Sequence, residues 1–275
     1  RERKISKDVS LKVTEWNVRH PLYHEKKVSQ NISFEIHKGE IVGFSGLQGA
    51  GRTELMMSIF GKSYGTEITG KVEINGKEVN LSTPRIAIEN GMAYVTEDRK
   101  GNGLILGESI AVNTTMARLN KVCNNMGIID INEENIAAAE YVKKLNTKTP
   151  SIAQKAGNLS GGNQQKVLLA KWMFADSEIL ILDEPTRGID VGAKYEIYCI
   201  MNDLVAQGKS VIMISSELPE LLGMCDRIYV MNDGKIVQET DSEHATQESI
   251  MTAILASEKP GASKVSETDK ETQSV

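Results

Sequence analysis

Three short stretches carry residue types that together could handle a phosphate chain. In "GLQGAGRTEL", Gly46, four residues and then Gly51-Arg52-Thr53 follow the phosphate-loop pattern G-x-x-x-x-G-K-[ST] everywhere except at its lysine. Leu47, Gln48, Gly49 and Ala50 complete the turn, and Glu54 follows it directly. Glycines let successive N–H groups point inward, and a helix starting there adds its positive dipole end. The Thr53 hydroxyl suits a divalent cation. Arg52 keeps a positive charge but is longer, planar and forked where lysine is a compact point charge, so phosphate is expected to be attracted yet held less closely. Taken alone, the stretch reads equally well as a glycine-rich strand-to-helix turn.

A second stretch, "ILILDEP", puts Asp183 and Glu184 at the end of an apolar strand. On a strand beside that of the loop, both carboxylates would reach the phosphates, Asp183 holding Mg²⁺ and Glu184 polarising an attacking water as general base. Two acids before a proline are common as a simple turn, but uncommon together with the loop. The third stretch, "NLSGGNQQK", offers Ser160 as a helix N-cap and Gly161-Gly162 for close approach to an anion. Its plain alternative is a capped helix.

The elements that must position these residues alternate. "LKVTEW", "SQNISFEI" and "EIVGFSG" read as strands, and "TELMMSIFG" as a helix closed by glycine. "GKVEINGKEV" reads as a hairpin around Asn75-Gly76 and "GMAYVTED" as a buried strand. From about Asn113 to Val167 the pattern turns helical, with "INEENIAAAEYVKKLN" keeping one apolar face from a capped start. Beyond "ILILDEP" come a helix, the strand "SVIMISSE", the helix "LPELLGMC" and the strand pair "RIYVMNDGKIVQE". Apolar strands alternating with helices predict a largely parallel sheet covered on both faces, with the helical stretch as an inserted lobe.

Composition narrows the partners. Of 275 residues, 40% are apolar and 25% charged, an ordinary globular balance that can bury a sizeable core. Acids outnumber bases 37 to 32, which argues against nucleic acid. Cys123, Cys199 and Cys225 lack CxxC spacing and read as small buried hydrophobes in a reducing compartment. Met224 and Met231 read as helical core. No apolar run approaches the ~20 residues that span a bilayer. Segment 1–10 is charged and aperiodic, a linker. Segment 257–275 is Ser, Thr, Lys and Glu with little to bury, a disordered tail. The start at Arg1 without methionine suggests a fragment of a longer chain.

In this order and spacing the loop, "LSGGNQQK" and "LILDEPTRGID" resemble an ATP-binding cassette ATPase over residues 11–256. "GLQGAGRTEL", "EDRKGNGL", "LSGGNQQKV" and "LDEPTRGIDVGAKYEIY" look like the second cassette of bacterial monosaccharide importers of the ribose, galactose and xylose type. The resemblance implies an α/β P-loop NTPase of the cassette type. It would have a mostly parallel core sheet, an N-terminal antiparallel β subdomain and a helical subdomain over about 97–169. It also implies ATP and Mg²⁺ as ligands and a place on the cytoplasmic face of the inner membrane. Its partners would be a first cassette of the same polypeptide, polytopic sugar permease subunits and, indirectly, a periplasmic sugar-binding protein.

Carried over by position, the adenine-stacking aromatic is Tyr23, with His20 and His24 nearby, although a surface aromatic is a near-equal alternative. The glutamine that senses Mg²⁺ and the membrane partner is Glu97 here, on a stretch that also reads as a solvated charged turn. The D-loop aspartate is Asp190, and Leu159 through Asn163 form the signature, with Asn163 in place of glutamine. The switch histidine is Ser216; none of the four histidines occupies that position, and Ser215-Ser216-Glu217 also reads as a helix cap. Serine supplies no cation.

Cassettes pair head to tail, so each ATP lies between one phosphate loop and the other signature. Arg52, Glu97 and Ser216 alter one face while the signature face stays nearly regular. The expectation is asymmetry: a degenerate own site that binds Mg-ATP and turns over slowly, and an LSGG face completing the site of the first cassette. Three rival readings stand beside it. One is an inert nucleotide-binding regulatory cassette. Another is a soluble cassette ATPase not tied to transport, although the roughly one hundred residues between loop and signature lack the heptads of DNA-repair cassettes. The last is a P-loop kinase or GTPase, which would lack LSGG.

Overall fold

In this computed structural model residues 5–258 are described. The expected tail beyond Glu258 and the first four residues of the expected linker lie outside them. The strands are β1 (Val9–Arg19), β2 (Lys27–His37), β3 (Ile41–Gly46), β4 (Thr66–Ile74), β5 (Lys77–Glu78), β6 (Met92–Val95), β7 (Ile179–Asp183), β8 (Ser210–Ile214), β9 (Arg227–Asn232) and β10 (Lys235–Asp241). The helices are α1 (Arg52–Ile59), α2 (Pro84–Glu89), α3 (Ile110–Thr115), α4 (Ile131–Lys144), α5 (Gly161–Phe174), α6 (Val191–Ala206), α7 (Leu218–Met224) and α8 (Gln247–Glu258). β1 begins inside the segment read as linker, and α8 takes in the first two residues of the segment read as tail.

Two sheets form. The antiparallel one has the order β2-β1-β4-β5 and contains the Asn75-Gly76 hairpin, where Ile74 pairs with Lys77. The other has the order β10-β9-β3-β8-β7-β6, parallel from β9 to β6 with β10 antiparallel at its edge. Every residue of β6, β7 and β8 is buried, as expected for strands covered on both faces. Phe34 of β2 packs edge-on against Phe44 of β3 at 5.1 Å, and Tyr229 of β9 closes the cluster, locking one sheet to the other. The buried Trp16 indole donates to Ser58 Oγ at 2.9 Å, which fixes α1, and with it the phosphate loop, against β1.

One expectation is corrected. The strand of Asp183 and Glu184 does not lie beside that of the phosphate loop, because β8 lies between β3 and β7. A parallel neighbour needs a crossover, and the chain uses α6 to return from β7 and insert β8 into the gap. The chemistry still converges, since parallel strands all end at one edge and the crevice there is shared.

Between β6 and β7, α3 and α4 carry side-chain N-caps, from Ser109 and Asp130. The Asp130 carboxylate accepts from the Asn132 and Glu133 N–H groups at 2.9 and 3.3 Å. Asp130→Ala is expected to lower unfolding free energy by about 1 kcal/mol, read by urea denaturation, without moving the nucleotide site. α5 is buried along most of its length. Its Lys166 is satisfied by Glu196 and the Asn146 carbonyl, and Lys171 by the Gly103 carbonyl at 2.7 Å. Burial pushes the Lys171 ammonium down to about 8. Two smaller readings change. Only Cys225 is buried among the three free cysteines, with Cys123 half-buried and Cys199 exposed. Met231 is core, but in strand β9 rather than a helix.

Candidate functional site

The phosphate loop runs from the end of β3 into α1. Gly51 takes φ +93°, and a Cβ there would lie 2.6 Å from the Val28 carbonyl, so a side chain would both strain the turn and push β2 away. Leu47, Gln48 and Gly49 are exposed on the rim and Ala50 is buried beneath it. Glu54 stands in the first turn of α1.

Across β8, Asp183 is almost fully buried at 1% exposure. The Thr53 hydroxyl donates to its Oδ1 at 3.2 Å and the Tyr94 hydroxyl to its Oδ2 at 2.7 Å. Burial pushes the Asp183 carboxyl up, while those two bonds and the Arg52 charge pull it down, and burial wins. The Tyr94 phenol is raised by burial and then by Asp183. A buried carboxylate with two hydroxyls but no cation bonded to it, beside a glycine turn that a Cβ would fill, fits a hard divalent ion arriving with phosphate. Among the described residues no group of three or more Asp, Glu, His and Cys could hold a metal by itself.

Glu184 adopts φ +47°, uncommon for a non-glycine residue. Its N–H donates to the Ile214 carbonyl at 2.9 Å, and its carbonyl accepts from the Arg187 N–H at 3.1 Å. Its carboxyl is raised by burial, with the Ser216 bond and then Arg52 opposing. The Ser216 hydroxyl donates to Glu184 Oε2 at 3.2 Å, so the residue in the switch position touches the candidate base directly. Arg52 does not lie in the loop alone: its guanidinium donates to the Ser215 carbonyl at 2.8 Å. Burial lowers its pKa, opposed by Glu184, Asp183 and Glu54 in turn. Arg52, Asp183, Glu184 and Ser216 are thus brought together.

Glu97 is engaged elsewhere, in an ion pair with Arg187. The stretch after it forms a short π-helical turn over Arg99–Gly103, capped by Asp98 accepting from the Gly101 N–H. From that turn Arg99 donates to the Arg187 carbonyl at 2.7 Å and lies 3.4 Å from Gln165 Oε1, tying the turn to the segment after Glu184 and to α5. On the signature face Ser160 occupies the N-cap position of α5, but its side chain makes no capping bond. It accepts instead from Asn163 Nδ2 at 2.9 Å, while Asn163 Oδ1 accepts from the Lys148 N–H. Leu159 is buried, and a Cβ on Gly162 would come 2.6 Å from Ala193 Cβ, so glycine there lets α5 sit against α6. Gly161 heads the helix. Asp190 caps α6 by accepting from the Ala193 N–H at 2.9 Å. Tyr23 is exposed, its ring 5.0 Å from that of His20, on the loop leading into β2.

Sequence reasoning missed Tyr94, Arg99, Thr186 and Glu220, all of which reach the site or its flanks. Nothing local marks them, because each acts through a partner distant in sequence.

Residues 29–187 match the profile of the family described as ABC transporter. The chain is 57% identical over 244 residues to the L-arabinose transport ATP-binding protein AraG of Geobacillus stearothermophilus, covering 89% of this chain and 47% of that protein. It is 50% identical to the ribose import ATP-binding protein RbsA of Clostridium tetani (86% and 46% covered). It is 52% identical to the xylose import ATP-binding protein XylG of Thermoanaerobacter pseudethanolicus (82% and 44% covered). The chain therefore spans about half the length of the curated relatives it matches. In fold it is similar to the dimeric bacterial cassette MJ0796, with TM-score 0.72, 22% identity and 84% of this chain and 98% of that one covered. The ADP conformation of the cassette MJ1267 aligns with TM-score 0.69 and 21% identity over 89% and 94%.

Proposed function

Since this chain belongs to the ABC transporter family, we propose that it is the second of two cassettes in the ATP-binding subunit of a sugar importer. The carrying observation is the convergence of Arg52, Thr53, Asp183 and Glu184 at one sheet edge, together with the glycine-headed LSGG start of α5. The names of the matched relatives support sugar as the cargo.

In this reading the loop N–H groups and the α1 N-terminus bind the phosphates, and Tyr23 stacks on the base. Thr53 and Asp183 would hold Mg²⁺, which when bound would neutralise charge on the β- and γ-phosphates. Glu184 orients and deprotonates water, and its raised carboxyl makes it a better proton acceptor once Ser216 holds it in place. Arg52 supplies positive charge from its tether on Ser215. Leu159 through Asn163 present the α5 N-terminus to the nucleotide of the first cassette, and Asp190 stands beside that interface. Glu97, paired to Arg187, serves the Mg²⁺ side of the site or the contact with the membrane subunit. Closure of the pair around ATP and its release on hydrolysis drive a polytopic permease on the cytoplasmic face of the inner membrane, served by a periplasmic sugar-binding protein.

The altered loop side makes this chain's own site the slower one. In the full two-cassette subunit assembled with its permease, Glu184→Gln is expected to lower steady-state ATP turnover less than about 10-fold. The equivalent change in the first cassette should lower it by about 10²–10³-fold. Equal losses from the two changes would sink the asymmetry. Bound ATP with no single-turnover hydrolysis at this site would favour an inert regulatory cassette instead.

A further inference from the structure

We propose that Glu220 of α7 is a positioning residue for this site, holding the two segments that flank Glu184 at the same time. The inference rests on the reading that Glu184 and Arg52 face the nucleotide.

The Glu220 side chain is 6% exposed and collects donors from three elements. Thr186 Oγ1 lies 2.8 and 2.7 Å from its two oxygens, and Ser215 Oγ 3.0 Å from Oε2. Lys194 Nζ and the Tyr198 hydroxyl, both from α6, reach Oε1 at 2.9 and 2.7 Å. Burial would raise this carboxyl, but the donors, Tyr198 foremost, outweigh it, so it is held ionised below its ordinary range.

Lys194 and Tyr198 would suffice to glue α6 to α7. Thr186 and Ser215 do something further. Thr186 is two residues beyond Glu184, whose left-handed backbone is unfavourable and persists only where its surroundings hold it. Ser215 immediately precedes Ser216, the residue bonded to the Glu184 carboxylate, and the Ser215 carbonyl receives Arg52. One carboxylate thus fixes both the segment that follows the candidate base and the segment whose Ser216 bonds to it, and anchors the acceptor of the candidate phosphate-binding cation.

The test uses the full chain and three variants, Glu220→Gln, Thr186→Val and Ser215→Ala, read by amide hydrogen exchange and by Mg-ATP titration. Glu220→Gln should speed exchange about 5–10-fold at both Glu184–Arg187 and Ile214–Glu217, a loss of the size of one or two hydrogen bonds. Thr186→Val should loosen only the first segment and Ser215→Ala only the second. Mg-ATP affinity should fall about 5-fold in Glu220→Gln and Ser215→Ala, through Arg52, but not in Thr186→Val. Should Glu220→Gln fail to fold, the two other variants carry the test on their own. A uniform exchange increase across the chain, or loosening confined to α7, overturns the proposal. If wild type shows no Mg-ATP binding, the nucleotide reading fails while the exchange arms still decide whether Glu220 holds both flanks.

Discussion

Replacing Asp183 by asparagine should weaken Mg-ATP binding by this chain about 100-fold or more, roughly 2.7 kcal/mol, while leaving the nucleotide-free fold as stable or slightly more so near pH 7. The two effects have one cause. Asp183 is buried, and without a metal ion its charge is disfavoured, as its raised pKa records. Asparagine keeps the shape and can still accept from Tyr94 and meet Thr53, but it offers a cation no charge. Loss of partners one shell further out already costs 10–100-fold in metal sites, so loss of a direct ligand should exceed that. The pH dependence follows. An acid whose folded pKa lies above its unfolded value binds more protons folded than unfolded. Its contribution therefore favours the fold at low pH and is lost as pH rises from the ordinary value near 3.8 to the raised one. Asp183→Asn should flatten that segment of the stability profile. Calorimetric titration with Mg-ATP and thermal unfolding without nucleotide check the two halves. Unchanged affinity would remove Asp183 from the metal site.

The second large effect is expected at the head of the signature helix. Gly161→Val should lower ATP turnover of the assembled two-cassette transporter about 100-fold or more, yet leave this chain's own Mg-ATP affinity unchanged. Gly161 heads α5, where free N–H groups and the helix dipole suit a phosphate. A Cβ there would already stand 3.0 Å from the Gly188 carbonyl and 3.5 Å from Ile189, and valine methyls would cover the helix end. A donor lost from a transition-state site costs about 10²–10³ in rate. The change should exceed that of Glu184→Gln, since one face serves the fast site and the other the slow one. ATPase assays in proteoliposomes decide it. Turnover above half of wild type would mean that the LSGG face completes no working site.

Much of this was readable along the chain because the signals are local. The glycine loop, the Asn75-Gly76 hairpin, the apolar strands and the capped helices each depend on a few adjacent residues. Strand order was not readable: nothing in "SVIMIS" says that it lies between the strands of Gly46 and Asp183. The role of Arg52 was read from its type as a poorer lysine, whereas its partner is the carbonyl of Ser215, 163 residues away. Ser216 was read as a missing cation, and it is also a donor to Glu184. Tyr94 reads along the chain as one more residue of a buried strand, whereas its hydroxyl donates to Asp183. Glu97 was read from its place in a pattern, and its ion pair with Arg187 depends on a turn that periodicity cannot foresee. In each case a side chain type was legible and its long-range partner was not.

The central strand β8 poses a problem of indexing. All five of its residues are buried, so no alternation of apolar and polar faces selects one alignment against its neighbours. A slip by one residue would travel about 3.3 Å and carry Ser215 away from Arg52. Polar stops at the two ends do the selecting. At one end the Ser210 hydroxyl lies 2.6 Å from Ser10 Oγ and 3.0 Å from the His37 carbonyl. At the other, Ser215 is pinned to Glu220. The apolar middle supplies cohesion and is free to vary among similar side chains. The serines at its ends set the scale on which the nucleotide site is aligned.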